Sequence, residues 1–249
     1  MLILALDTSS AAGSAAIVRD GALAIEREGD PSRTHGQRLP LELMAILNEA
    51  HVALAEVDAF AVVTGPGSFT GLRVGIATIQ GLALARGRRV APVSAFEALV
   101  FPAAGGSGVS GLEAGESCRA VWIDAHRREV FAALYASDGR TVLEPPTSLS
   151  PEATIENWIG RIETGARVHF AGDGAVRYAD VIRAGLGERA VIPGAVPPLA
   201  GAAGLIAAAD PARAVAPHAL VPLYVRRSDA ELARDRARSG SAVPPVPRR

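Results

Sequence analysis

The chain has 249 residues, 49% hydrophobic and 20% charged, a globular composition rather than a disordered or fibrous one. Its formal charge of −1 supplies no global field for nucleic acid or an anionic membrane, and the lone Cys118 excludes an internal disulfide and a multi-cysteine metal site. All 25 basic residues are arginine, so a Schiff base, a catalytic lysine and a P-loop lysine are excluded.

Residues 2–7 read as a buried strand ending on Asp7; the run is too short, and has no basic leader, to be a signal peptide. Residues 13–19 and 22–28 form the next two strands around an Asp20-Gly21 hairpin turn. Residues 34–50 carry a helical stripe (Leu39, Leu43, Ile46, Leu47, Ala50), with Pro40 predicting an irregular or kinked first turn. A buried strand at 58–64 leads into Gly65-Pro66-Gly67-Ser68-Phe69-Thr70-Gly71 and a helix to about Arg86, then a strand at 89–93 and a helix at 95–101.

Residues 105–117, rich in Gly and Ser, read as a linker. Beyond it the opening pattern returns: a strand at 120–124 ending on Asp124, a strand at 129–135, and an Asp138-Gly139 turn. Asp7 and Asp20 are 13 residues apart, Asp124 and Asp138 are 14, which favours an internal duplication over two unrelated hairpins. A helix at 151–163 with Ser150 as N-cap, a strand at 167–171 and a Gly172-Asp173-Gly174 turn follow. The uncharged run 190–209 has the length of a membrane span, but Pro193, Pro197 and Pro198 make it a loop and a short helix from about Ala200. The prediction is a soluble, cytoplasmic α/β protein. Its first half is at 1–104, the linker at 105–117, the second half at 118–220 and a C-terminal segment at 221–249. That segment's end holds seven Arg against three acids and is expected to be a disordered basic tail.

Taken singly, the candidate chemical motifs are weak. The Gly65–Gly71 loop between strand and helix either cradles an anion or is a tight turn that lets the helix approach the sheet through Gly71 and Gly75. Asp7 and Asp124 either hold a metal or water at a cleft, or cap nearby backbone N–H groups. The five histidines, His35, His51, His126, His169 and His218, show no helical ligand spacing. Two helix stripes stand out: Leu39, Leu43, Leu47, and Leu72, Ile76, Ile79, Ala83. Leu41 and Met44 lie off the first, Val74 and Leu82 off the second, so both helices have a second apolar face to bury, as on a partner.

Together, Leu4-Ala5-Leu6-Asp7-Thr8-Ser9, Thr34-His35-Gly36-Gln37-Arg38-Leu39-Pro40, Gly65–Gly75 (GPGSFTGLRVG), Gln80-Gly81-Leu82-Ala83, Ile123–Phe131 (IDAHRREVF) and Pro222-Leu223-Tyr224-Val225-Arg226 resemble the TsaB family over about residues 1–230. The resemblance implies an actin-like, sugar-kinase-like (ASKHA) fold of two related α/β halves, with the C-terminal segment returning to the first half. It implies an accessory subunit in making the threonylcarbamoyladenosine modification of bacterial tRNA, bound to the catalytic paralogue TsaD, with the ATPase TsaE joining the pair and tRNA touched at most indirectly. Contact is expected through the two N-terminal helices, which also serve homodimers. The implied interface residues are His35, Leu39, Leu43, Met44, Leu47, Leu72, Arg73, Ile76, Ile79 and Ala83. For His35 and Arg73, rim hydrogen bonding and local capping both stay open. On this reading Leu43→Arg or Ile76→Arg leaves the monomer folded and abolishes pairing.

The paralogue carries N-H-x-x-G-H where this chain has Ser94-Ala95-Phe96-Glu97-Ala98-Leu99; Ala95 and Leu99 replace the two metal-binding histidines, so no metal, no cofactor and no catalysis are expected. The alternative is an ATP-dependent phosphotransferase or ATPase using the cleft between halves, its vestige carried by Asp7, Ser9, Gly65, Gly67, Ser68 and Gly174.

Overall fold

The computed structural model describes residues 1–101 and 117–226, built on two five-stranded mixed sheets. In the first, β1 (Leu2–Asp7), β2 (Ser14–Arg19) and β3 (Ala22–Glu28) form an antiparallel meander; β4 (Ala59–Val63) lies parallel to β1, and β5 (Val90–Val93) parallel to β4. The second sheet repeats this. β6 (Ser117–Asp124), β7 (Val130–Ala136) and β8 (Val142–Leu149) form the meander, β9 (Arg167–Ala171) lies parallel to β6 and β10 (Ala190–Val191) parallel to β9. Orders β3-β2-β1-β4-β5 and β8-β7-β6-β9-β10 are the same pattern, so the two Asp-to-Asp spacings mark a real duplication and the fold is the paired α/β architecture of the actin-like class.

The helices are α1 (His35–Glu49), α2 (Phe69–Arg86), α3 (Ala95–Val100), α4 (Pro151–Ile159), α5 (Asp173–Arg177), α6 (Ala179–Leu186) and α7 (Ala200–Ala209). Alternation along β1 sorts them. Leu2, Leu4 and Leu6 face α1 and α2, while Ile3 and Ala5 face α7. In the second sheet Ala120 and Trp122 face α4–α6, and Val121 and Ile123 share a cluster with α3, Val63 and Val93 of the first half.

Several expectations change. Residues 199–220, assigned by sequence to the second half, pack on the first: Ala200, Ala207 and Ala214 cover Ile3, Ala5, Ala16 and Val18. Ala and Gly suit α7 to this place, since a Cβ on Gly204 would lie 2.6 Å from Val18 Cγ2. Helix α1 runs unbroken through Pro40. The Gly172–Gly174 turn opens α5. β8, for which the sequence pattern predicted no element, carries Pro145 and Pro146 and is an edge strand, where missing N–H donors are tolerated. Residues 105–116 of the expected linker and the tail from 227 lie outside the described residues, and Ser117 already belongs to β6. Among the described residues no helix is long and apolar enough to cross a membrane.

Candidate functional site

Two regions compete for function: the cleft between halves and the outer face of α1 and α2. At the cleft, Ser68 N-caps α2, its Oγ accepting the Gly71 N–H at 3.2 Å while its own N–H donates to Ser9 O at 2.7 Å. Gly67 is required by close approach, since a Cβ there would sit 2.5 Å from Ser9 O. Asp7 is 2% exposed; its Oδ1 accepts the Ser9 N–H at 2.8 Å, and burial pushes its carboxyl above the usual range. It is therefore a cap inside the β1–β2 loop. Asp124 likewise accepts the His126 N–H at 3.1 Å and pairs with Arg177 at 3.2 Å.

A cavity of about 410 Å³ lies between the two halves, lined by Gly67, Ser68 and Thr70 on one side and by Asp124 and His126 on the other. Of the six residues expected to mark a vestigial nucleotide cleft, Gly67 and Ser68 line it. Asp7 and Ser9 sit behind them, and Gly174 packs on the backbone of Trp122 and Ile123. Residues 221–226 cross the cleft. The Leu223 N–H donates to Thr64 O at 2.8 Å, and Leu223 O stands 2.8 Å from where a Cβ of Gly65 would be. Tyr224 then reaches α2, and Arg226 pairs with Glu129 of the second half at 2.9 Å. The chain's own segment thus lies across the loop where phosphates would have to approach.

At the helices, the expected interface residues divide by burial. Leu39, Leu43, Leu47, Ile76, Ile79 and Ala83 are buried inside the first half's own core, and Leu72, 1% exposed, is buried against the Gly65 turn. They are corrected from interface to core: the regular stripe of an amphipathic helix is the side that meets its sheet. Of the ten, Met44 and Arg73 face solvent and His35 is half-buried. The side chains that do project outward were outside the expected set: Leu41 at 68% exposure and Leu84 at 65%, beside Met44 at 54%. Pro40, Ala45, Ala77 and Gly81 of the same two helices are exposed as well.

This face is held rigidly from behind. His35 fits between two glycines: Cβ atoms on Gly13 and Gly71 would come within 3.1 and 3.2 Å of its ring. Its Nε2 bonds Ser10 O at 2.9 Å and its Nδ1 faces an Arg38 NH2 at 2.8 Å, so Nδ1 accepts and Nε2 donates in a neutral imidazole. Burial, with Arg38 beside it, depresses its pKa. Arg38, 2% exposed, also donates to Ala11 O, Ala12 O and Arg33 O and pairs with Glu42. It pins α1 to the β1–β2 loop, a role the sequence reading missed; the available signal was an arginine inside the apolar stripe, next to Leu39. Helix α2 is seated as closely, for a Cβ on Gly75 would lie 2.0 Å from Thr8 Oγ1. Arg73 lies outside, on Phe69 and Tyr224.

Over most of its length the chain is similar to proteins of one kind. A solved structure, YeaZ from Pseudomonas aeruginosa, superposes with a TM-score of 0.70 at 30% identity, covering 90% of this chain and 99% of that one. The TsaB protein of Escherichia coli is 35% identical over 159 residues, 63% of this chain and 65% of the relative. The TsaB of Bacillus subtilis is 27% identical over 93% of this chain and 96% of the relative. The chain belongs to the TsaB family. A family model described as TsaD, tRNA N6-adenosine threonylcarbamoyltransferase, also matches residues 30–173, a span that contains both α1 and α2 of this family member. At the start of α3, Ala95 is buried and Leu99 half-buried; neither side chain offers a donor to a metal, and among the described residues no group of three His, Cys, Asp or Glu converges.

Proposed function

We propose that this chain is a non-catalytic subunit of tRNA threonylcarbamoyladenosine biosynthesis that docks, through the outer face of α1 and α2, on a TsaD-family paralogue. The same face serves a homodimer when the paralogue is absent, a TsaE-like ATPase joins through the heterodimer, and tRNA is contacted at most indirectly. One observation carries the reading: the outer face of α1 and α2 is apolar, with Leu41, Met44, Ala77 and Leu84 exposed and no acidic residue on α2. Exposed leucine and methionine gathered on one helix pair are the kind of surface that marks a protein–protein contact. The match of the TsaD family model to residues 30–173 supports the choice of occupant, because a protein of that family has an equivalent helix pair to offer. The names of the TsaB relatives support the pathway. An enzyme working in the cleft is disfavoured by the strap of residues 221–226 across Gly65.

The test is the mass of the purified chain, alone and mixed with the TsaD-family protein of the same genome, by light scattering on a sizing column. A one-to-one heteromer is expected. No complex at low or moderate salt would overturn the docking reading.

A further inference from the structure

At the N-terminal end of this outer face stands a polar group held in one orientation. The Arg73 guanidinium lies over the Phe69 ring, its Cζ 3.7 Å from the centroid, and its Nε donates to Tyr224 Oη at 3.0 Å. The two rings lean on each other with centroids 5.4 Å apart, so α2 and the C-terminal strap together hold the arginine. Nε is occupied and the face of the guanidinium is covered, while the side chain as a whole stays exposed. What it presents outward is the planar edge that takes a carboxylate in two parallel hydrogen bonds.

Among the described residues, nothing on its own face supplies that carboxylate. Helix α2 has no acidic residue, and neither has the strap at 221–226. On α1, Glu42 is paired with Arg38 and Glu49 with Arg27. A two-fold pairing of two copies brings this face against itself, and each Arg73 would then lose water without gaining a counter-charge, which is costly. We infer that Arg73 is the specificity-determining residue of the docking face: it takes an Asp or Glu carboxylate from a partner that is not a copy of this chain, and so favours the heteromer over the homodimer. This rests on the docking reading above and adds to it the chemistry of the partner's contact.

The experiment uses the full chain with Arg73→Gln, Arg73→Lys and Tyr224→Phe. For each, affinity for the TsaD-family protein is measured at two salt concentrations and self-association by sedimentation. Arg73→Gln should weaken the heteromer about tenfold or more and flatten its salt dependence, with self-association unchanged or tighter. Arg73→Lys should restore only part, since an ammonium lacks the planar fork, and Tyr224→Phe should show a smaller loss from a less oriented guanidinium. A heteromer within about twofold of wild type in Arg73→Gln, or an equal loss in both assemblies, overturns the inference while the docking reading stands. If the wild-type chain forms no heteromer, both fall.

Discussion

The two halves share strand order and direction, but their outer helices are finished differently. Over the second sheet, α4 and α6 turn Glu152, Glu156, Asp180 and Arg183 to water, and the layer is broken into α5 and α6 at Tyr178. Over the first, α1 and α2 run 15 and 18 residues without a break and turn Leu41, Met44 and Leu84 outward. One topology therefore supports a charged outer surface in one half and an outer surface with exposed leucine and methionine in the other. The difference lies in a few outward positions and leaves the cores alone.

That comparison can be broken from the inside. Leu43→Arg and Ile76→Arg place an unpaired charge in the first core and should cost about 4 kcal/mol or more, seen as loss of the cooperative urea transition. This reverses the expectation that either variant folds and merely fails to pair. The next largest effect is on association. Met44→Arg or Leu84→Arg should leave the urea midpoint nearly unchanged yet cost about 2 kcal/mol or more of heteromer affinity by titration. Ile159→Arg, at a 52% exposed position of α4, should cost neither. Gly75→Ala in α2 should destabilise by about 1–3 kcal/mol, because the new methyl collides with Thr8, whereas Gly160→Ala at the end of α4 meets nothing within 4 Å and should be tolerated.

The smallest expected effect is acid sensitivity of the first half. The folded-state pKa of His35 lies below the ordinary imidazole value, so the unfolded chain takes up its proton first as pH falls. The neutral ring's contribution is complete above about pH 6.5 and is lost as pH drops through the ordinary value toward the depressed one. Protonation at Nδ1 would also turn its acceptor toward Arg38 into a donor. His169, also depressed, titrates in both proteins. Thermal melts at pH 7.5 and 5.5 should therefore show a larger drop for wild type than for His35→Gln; equal drops would remove His35 from the account.

Strands and the duplication were legible because apolar runs stop at Asp7 and Asp124 and Asp-Gly turns follow. The extents of α1 and α2 were legible from caps and periodicity. The outward face of α2 was harder. Its apolar residues surround the helix, so period alone cannot separate Ile76, which meets the sheet, from Leu84, which meets water. Leu41 and Met44 betrayed themselves by standing off the regular stripe. Arg38 and Tyr224 depend on partners 26 and 151 residues away, Ala12 and Arg73, and no local pattern announces such contacts.

Ser14 on β2 accepts the N–H groups of Leu199 and Ala200, at 3.2 and 3.0 Å, and so caps α7 from a strand that precedes it by 185 and 186 residues. As the chain leaves the ribosome, the first sheet appears early, but one face of it stays uncovered until the residues around 200–209 emerge. The half that is synthesised first is completed last, and for most of translation its Ile3, Ala5 and Val18 surface is open to chaperones or to aggregation.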